Sequence, residues 1–422
     1  MFVWNHFTND ARVLRECTAL SEKGYSVDLI CIEDPSDTSL SNYEERNEHF
    51  HVYRVKRYPV LLDVYKYIVT MSKKHLWFML LVGIMAAFLI YIMPLVSITA
   101  IILSAIILKT RLKGVIIKGN IIIRMILRGF RNKYAIYHSN DLNTLPQGYI
   151  CSKWRWKKRK LIYDSHEVQT SRTGYDSPIY GKMESWLLRR VDSMIVENHT
   201  RAKYNEELYG LYPHVVHNYP FINTIPLEEK VDLHQILGLP RDEKILLYQG
   251  GIQTGRGLDK LIEAAPFIKE GVIVLIGDGK IKEQLVKKVN ELQLEEKVKF
   301  LPKVPLSDLP KYTLNAYLGF QILNNVCFNH YSASSNKLFE YLQANVPVVA
   351  CSFPEIRRVV EGDHVGICID SHNPQQIAEA VNLLIENTQL RDAYSANARK
   401  ASKKYNWELE KETFISVYNA IA

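Results

Sequence analysis

Short apolar runs of four to six residues recur along the chain, and between many of them apolar positions fall three and four apart. The runs at 1–4, 27–31, 51–55, 135–138, 161–164 and 214–217 read as one set of strands. Those at 245–248, 272–276, 298–301, 318–322 and 346–351 read as a second. Most are rich in Val, Ile and Leu without strict alternation, the pattern of strands covered on both faces of a parallel sheet. The stretch 10–23 is the clearest intervening helix, with Val13, Leu14, Cys17 and Leu20 on one face and Gly24 closing it. Strands alternating with helices predict an α/β protein. A chain of 422 residues is long enough for two domains of about 200 residues each. Asn218-Tyr219-Pro220 marks the linker between the two sets of strands.

One segment breaks this rhythm. Residues 76–108 hold 33 positions without Asp, Glu, Lys or Arg, and Pro94 lies at the centre. As one helix it would run about 50 Å, against about 30 Å of bilayer hydrocarbon. Strands of one expected sheet lie before and after it, so a single crossing would split that sheet across a membrane. The segment must therefore return to its starting side, as a helical hairpin or a re-entrant loop around Pro94. Lys73, Lys74, Lys109, Arg111 and Lys113 flank it, which suits a cytoplasmic face at both ends. Beyond it, 121–130 is apolar with Arg124, Arg128 and Arg131 at helical spacing, the pattern of an amphipathic helix on anionic headgroups. A pair of core helices inside an enlarged domain is the alternative.

Charge sharpens the picture. The net charge of +8 is local: 109–133 carries eight basic residues and no acidic one, and 153–160 carries six more around Trp154 and Trp156. The remaining 39 Lys and Arg are outnumbered by 45 Asp and Glu, so the basicity belongs to one surface. Beside an apolar run, that surface points to an anionic membrane and not to nucleic acid; an RNA-binding surface around the tryptophans is the weaker reading. The six cysteines form no CxxC pair and several sit in apolar runs, as small buried hydrophobes in a reducing compartment. The opening Asn5-His6-Phe7-Thr8-Asn9-Asp10 is too polar for a secretory signal, so the body is expected to be cytoplasmic and the sequon Asn198-His199-Thr200 idle.

Chemistry concentrates in the second half. Ser334-Ser335-Asn336-Lys337-Leu338-Phe339-Glu340-Tyr341 reads as a polar loop entering a short helix, with Val346-Pro347-Val348-Val349-Ala350 as the strand after it. Ser334, Ser335 or Asn336 can cap the helix; its N–H groups and Lys337 then form a phosphate seat, with Glu340 one turn on for sugar or ribose hydroxyls. Asn345 stands where a left-handed residue ends the helix. The turn at 249–258 carries Gly250, Gly251, Gly255 and Gly257 around Arg256, whose guanidinium can fork onto phosphate oxygens.

In these segments the chain resembles the family 4 glycosyltransferases of the GT-B fold, of the membrane-associated bacterial cell-surface polysaccharide type. The resemblance, which leaves out about residues 60–133, implies two Rossmann-like domains facing across a cleft: an acceptor-side domain at 1–222, a nucleotide-sugar domain at 223–405, and a closing helix at 406–422 that returns to the first domain; the stretch 60–133 is then an apolar membrane-associating insertion in the first of them. It implies donor contacts at Gly250, Gly251, Arg256, Gly277, Gly279, Val304, Asn336, Lys337, Leu338 and Glu340. His166 would face the transferred sugar and Asp141 would lie near the acceptor. His166, Glu340 and Arg256 are thus the expected catalytic groups. No Asp-x-Asp motif and no Cys/His cluster with ligand spacing occurs, so no metal is expected; helix dipole, Arg256 and Lys337 carry the diphosphate charge.

Several departures stand beside the match. Relatives often carry a basic residue where Gly251 stands, leaving Arg256 with Lys260 or Lys337. Retaining members often pair glutamates eight positions apart; the first falls here on Ser332, so the loop 324–331 must supply sugar contacts. Relatives also carry glycine in the first loop, where 5–9 has none. Only four strand residues precede that loop, fewer than the usual five or six, as in a reading frame that starts late. The expected function is transfer of a hexose from a nucleoside-diphosphate sugar to a lipid-linked acceptor at the cytoplasmic membrane face. The alternatives are a non-catalytic membrane-bound scaffold of the same fold and a transferase with a soluble acceptor.

Overall fold

The computed structural model describes residues 1–8, 10–171, 177–222 and 225–421. Asn9 of the expected first loop, the expected domain start at 223 and the final residue of the closing segment lie outside the described residues. By density of contacts the chain divides into one unit of Met1–Asp164 with Leu187–Asp192, and another of Ser165–Trp186 with Ser193–Ile421.

In the first unit, β1 (Val27–Ile32) is buried along its whole length. It pairs with β3 (Phe50–Val55) in parallel, and β3 pairs with β2 (Tyr43–Asn47) antiparallel. β2 was not evident in the sequence because Glu44, Glu45 and Arg46 fill an exposed edge, where charge discourages further strand pairing. β4 (Ile136–Asn140) and β5 (Lys160–Ser165) form a second parallel pair. The expected strand at 1–4 is reduced to Phe2, which bridges Ile30 on one side and Ser139 on the other. Its N–H donates to His138 O at 2.8 Å and its carbonyl accepts from Asn140 N–H at 3.1 Å. The helix Ala11–Glu22 is capped by the Asp10 carboxylate, which accepts from Val13 N–H. It carries the buried Arg12 onto Glu16 (2.9 Å) and Asp164 (2.8 Å), with His138 3.7 Å from Asp164. Glu16, His138 and Asp164 lie close enough to hold a metal ion. The Arg12 guanidinium already spans the two carboxylates, which makes the group an internal ion network.

The insertion forms four consecutive helices, Val60–Lys74, Leu76–Ile92, Pro94–Lys109 and Leu112–Arg131. The break at Met93 falls beside Pro94, as the sequence requires, and no residue of the first three helices is buried. Among the described residues no single helix is long and apolar enough to cross a membrane. Pro94–Lys109 and Leu112–Arg131 pass that test only together, and are bent by 86°. The last helix corrects one expectation. Arg128 does not stand free toward solvent; it lies over the Tyr53 ring at 3.4 Å and reaches Asp28 at the same distance, because Ile121, Met125 and Gly129 turn this face of the helix onto the unit.

In the second unit, β6 (Ser193–Val196) and β7 (His214–Val215) pair in parallel. The main sheet contains β8 (Ile245–Gln249), β9 (Val272–Ile276), β10 (Val298–Leu301), β11 (Leu318–Gln321), β12 (Val348–Cys351) and β13 (Gly366–Ile369), in spatial order 10-9-8-11-12-13 and parallel throughout. Period-two alternation sorts its side chains between two layers. Leu246, Tyr248, Ile273 and Leu275 pack with the helices Leu258–Ala264 and Pro374–Glu386; Ile245, Leu247, Val272 and Val274 pack with Asn336–Gln343. Within this unit the helix Trp407–Ile421 is tied to 217–220: Trp407 N–H donates to Pro220 O at 2.8 Å, and Glu410 accepts from His217 N–H at 2.8 Å.

Candidate functional site

In an open parallel sheet the carboxyl ends of the strands are where ligands bind, and here β8, β9 and β11 end in polar or glycine-rich turns. After β8, Gly250 takes φ +131°; after β9, Gly277 takes φ +155°. The two turns are laced together by Gly250 N–H to Ile276 O and Ile252 N–H to Asp278 O, both 2.9 Å. A Cβ on Gly277 would sit 1.9 Å from Gly250 O, and one on Gly279 would sit 2.1 Å from Ile252 O. The close approach of the two turns therefore accounts for glycine at both positions without a ligand. Gly251 is different: it is exposed, and a Cβ there would meet only Gln253 Cγ, at 3.5 Å.

The helix Asn336–Gln343 begins after Ser335, whose backbone is extended and whose side chain makes no capping hydrogen bond. None of the expected side-chain caps is therefore made at Ser335, which leaves the helix start open to an anion. Leu338 is buried in the core and its N–H turns back to Ser335 O at 3.1 Å. Tyr341 fixes the helix against β8, its hydroxyl donating to Leu247 O at 2.9 Å and accepting from Gln249 N–H at 3.2 Å. Gly319 makes room for that ring, since a Cβ would lie 2.7 Å from it. Asn345 ends the helix at φ +58°, as expected. Asn336 stays exposed and accepts from Asn218 Nδ2 at 3.0 Å. Glu340 accepts from Gln249 Nε2 at 2.6 Å, while Gln249 Oε1 accepts from Thr313 Oγ1 at 2.8 Å.

Lys337 is the electrostatic centre. It is only 7% exposed, and its ammonium lies 5.1 Å from the Tyr248 ring centroid. Burial first, and then the positive Arg256, push its pKa down to about 7, against the opposing pull of Glu340. Neither Lys337 nor Arg256 makes an ion pair among the described residues. Lys260, the other cation considered, is bound to Glu263 at 2.8 Å. His330 adds a third group: burial lowers its pKa, Arg256 and Lys337 lower it further, and the Asn324 carbonyl and Glu167 oppose them. At the end of β11 the amide of Gln321 is fully buried with both polar atoms unbonded among the described residues, and Asn324 Oδ1 is likewise unbonded. Their polarity was visible in the sequence; their burial at a strand end was not.

His166 precedes a segment anchored on the loop that leads into the same helix. Arg201 donates to His166 O, to Ser332 Oγ at 3.2 Å and to Asn329 O at 3.4 Å. Val168 N–H donates to Asn329 Oδ1 at 2.8 Å, and Asn329 Nδ2 returns a bond to Val168 O at 3.1 Å. Ser332, where the resemblance led us to expect a glutamate, is thus fully buried and taken up in packing. Asn198 is buried too, its side chain capping the helix His199–Tyr209 and donating to Ser332 O at 2.8 Å. Val304 is half-buried against the core under the Asn336–Gln343 helix. Asp141 lies in the first unit at φ +61°, its N–H held by Asp164 O at 2.8 Å. Arg201 was missed, because a lone arginine inside a helix gives no sign of what it will hold.

Residues 229–401 match the family model for glycosyl transferases group 1. A D-inositol 3-phosphate glycosyltransferase of Nocardioides is 25% identical over 258 residues, which are 56% of this chain and 55% of that protein. The phosphatidyl-myo-inositol mannosyltransferase of Mycobacterium leprae is 26% identical over 205 residues, covering 47% and 53%. The chain spans about half the length of these two curated relatives. In fold it is similar to Anabaena HepE, solved in complex with UDP-glucose, at a TM-score of 0.69 and 16% identity over 99% of this chain and 98% of that one. These likenesses support a glycosyltransferase of the GT-B fold, with the family match confined to residues 229–401.

Proposed function

We propose that this protein is a family 4-type hexosyltransferase that takes a nucleoside-diphosphate hexose and passes the sugar to a lipid-linked acceptor at the cytoplasmic face of a membrane. One observation carries the donor half: Lys337 is buried beside Arg256 with no carboxylate ion-paired to either among the described residues. A buried ammonium beside a second, half-buried cation is unfavourable until an anion joins them. A diphosphate supplies that charge, with the open helix start donating N–H groups to its oxygens. The same groups stabilise the negative charge that grows on the leaving diphosphate as the glycosidic bond breaks, the task a metal performs in other transferases. Glu340, held by Gln249, accepts from sugar or ribose hydroxyls. His166 lies on a segment anchored by Arg201 and faces the transferred sugar.

The acceptor half rests on the insertion. Three successive helices with no buried residue offer a surface that suits lipid, flanked by lysine and arginine. A mannosyltransferase named for a phosphatidyl-inositol acceptor stands among the similar proteins. The test is direct. Thermal shift against a panel of uridine and guanosine diphosphate sugars should single out one donor, and transfer to a lipid-linked acceptor should persist in excess chelator. Loss of activity with the chelator would remove the metal-independent mechanism. A folded protein that binds neither uridine nor guanosine diphosphate would favour the non-catalytic scaffold, for which buried Ser332 is the supporting feature. Equal rates with a water-soluble acceptor analogue would favour the soluble-acceptor reading.

A further inference from the structure

Two tryptophans stand in solvent on the first unit. Trp154 is 68% exposed and Trp156 fully exposed, and Lys157 and Lys158 beside them are exposed as well, with no ion pair among the described residues. The loop that bears them is not loose. Arg155, between the two indoles, turns inward: its guanidinium donates to Cys151 O at 2.9 Å, Gly129 O at 3.1 Å and Asn132 O at 3.2 Å, and lies 4.7 Å from the Phe130 ring centroid. It clamps the loop to the end of the Leu112–Arg131 helix.

That helix has a second apolar face. Ile121, Met125 and Gly129 pack inward, so closely that a Cβ on Gly129 would lie 2.8 Å from Cys151 Sγ and from the Phe2 ring. Leu112, Ile116, Ile123, Leu127 and Phe130 recur on the opposite side and are exposed. Arg124 and Arg131 run along one flank. Across 109–133 and 153–160 no acidic residue interrupts the positive charge.

The geometry points to the loop 154–158 as an interfacial anchor that seats, together with this outer helix face, on an anionic lipid surface. Indole is the side chain that favours the headgroup layer, with its ring in the hydrocarbon boundary and its N–H toward water. Lysines next to it gain from negative lipid charge. RNA would use the indoles and lysines but leaves the stripe of Ile123 and Leu127 unemployed, so lipid is the better match. The inference rests on the membrane reading above and adds where contact is made.

Full-length protein is sedimented with phosphatidylcholine vesicles, with and without phosphatidylglycerol, at low and high salt. Wild type should bind the anionic vesicles. Trp154→Ser with Trp156→Ser should lower partitioning several-fold at both salt levels and abolish part of the fluorescence blue shift. Lys157→Gln with Lys158→Gln should lower it about tenfold or more at low salt and much less at high salt, following roughly 1 kcal/mol per basic residue near the surface. All four side chains are exposed, and unchanged melting confirms intact folding. Variants that bind as wild type does overturn the anchor and leave the membrane reading standing. Wild type that ignores anionic vesicles removes both, and retention on single-stranded RNA in its place assigns the loop to nucleic acid.

Discussion

Gln249 Nε2 donates to Glu340 Oε2 across 2.6 Å, joining the last residue of β8 to the second turn of the Asn336–Gln343 helix. Thr313 holds the far end of the same amide. A strand end and a helix face thereby set the direction of one carboxylate, which is what a hydroxyl-binding group requires. Glu340→Ala should lower kcat/KM for the donor by about tenfold to a hundredfold, the worth of a hydrogen bond to a charged group of about 1.5–3 kcal/mol. Gln249→Leu should lower it less, through misorientation. Steady-state kinetics at varied donor decide it, and a fully active Glu340→Ala enzyme would remove the glutamate from the site.

Lys337→Met should separate binding from stability. The buried ammonium beside Arg256 is unfavourable in the empty protein, so an apolar side chain of similar length should raise the melting temperature, about 2–4 °C for each 1 kcal/mol regained. The same variant should lose most of its affinity for nucleoside diphosphate. Differential scanning calorimetry and titration calorimetry measure the two effects; a fall in both quantities would mean the lysine serves the fold alone.

The lowered pKa of Lys337, about 7 in the empty protein, has a definite sign. Bound diphosphate favours the charged amine, so donor binding takes up a proton above pH 7. Affinity should fall as pH rises from 7, at most about tenfold per unit. Without ligand the slope reverses: the unfolded chain keeps this proton up to about the ordinary lysine value of 10.5, so Lys337 contributes stability that grows from pH 7 toward that value. Proton uptake in buffers of different ionisation enthalpy tests the first statement. The pH dependence of wild type minus Lys337→Met tests the second.

Gly319 and Gly251 should respond oppositely to substitution. Gly319→Ala forces a methyl group into the Tyr341 ring and should cost about 1–3 kcal/mol with a shifted helix start. Gly251→Arg meets only an ordinary contact with Gln253 Cγ, at 3.5 Å, and a backbone without positive φ. It should fold normally and tighten the diphosphate, supplying a further positive charge beside Arg256. Urea unfolding and nucleotide titration measure these, and a destabilised Gly251→Arg would contradict the loop geometry.

Apolar runs located most strands, because strands covered on both faces announce themselves. The helix start at Asn336, the left-handed Asn345 and the break beside Pro94 were legible for the same reason, each resting on local backbone preference. What escaped was set by tertiary packing. The edge strand at Tyr43–Asn47 has almost no apolar residue to show. Arg128 resembles any surface arginine until Tyr53 and Asp28 are brought beneath it. The depth of Lys337, the role of Arg201 and the buried amide of Gln321 depend on neighbours distant in sequence. The packing need of Gly277 and Gly279, set by the contact between two turns, was equally hidden.

The helices Val60–Lys74, Leu76–Ile92 and Pro94–Lys109 keep every side chain outside the core, and this dictates how the molecule must be handled. In plain buffer such surfaces find one another, so extraction without detergent should yield aggregates whose size tracks protein concentration. A purified sample that runs as a monodisperse particle only when amphiphile is supplied is the everyday consequence of that greasy extension.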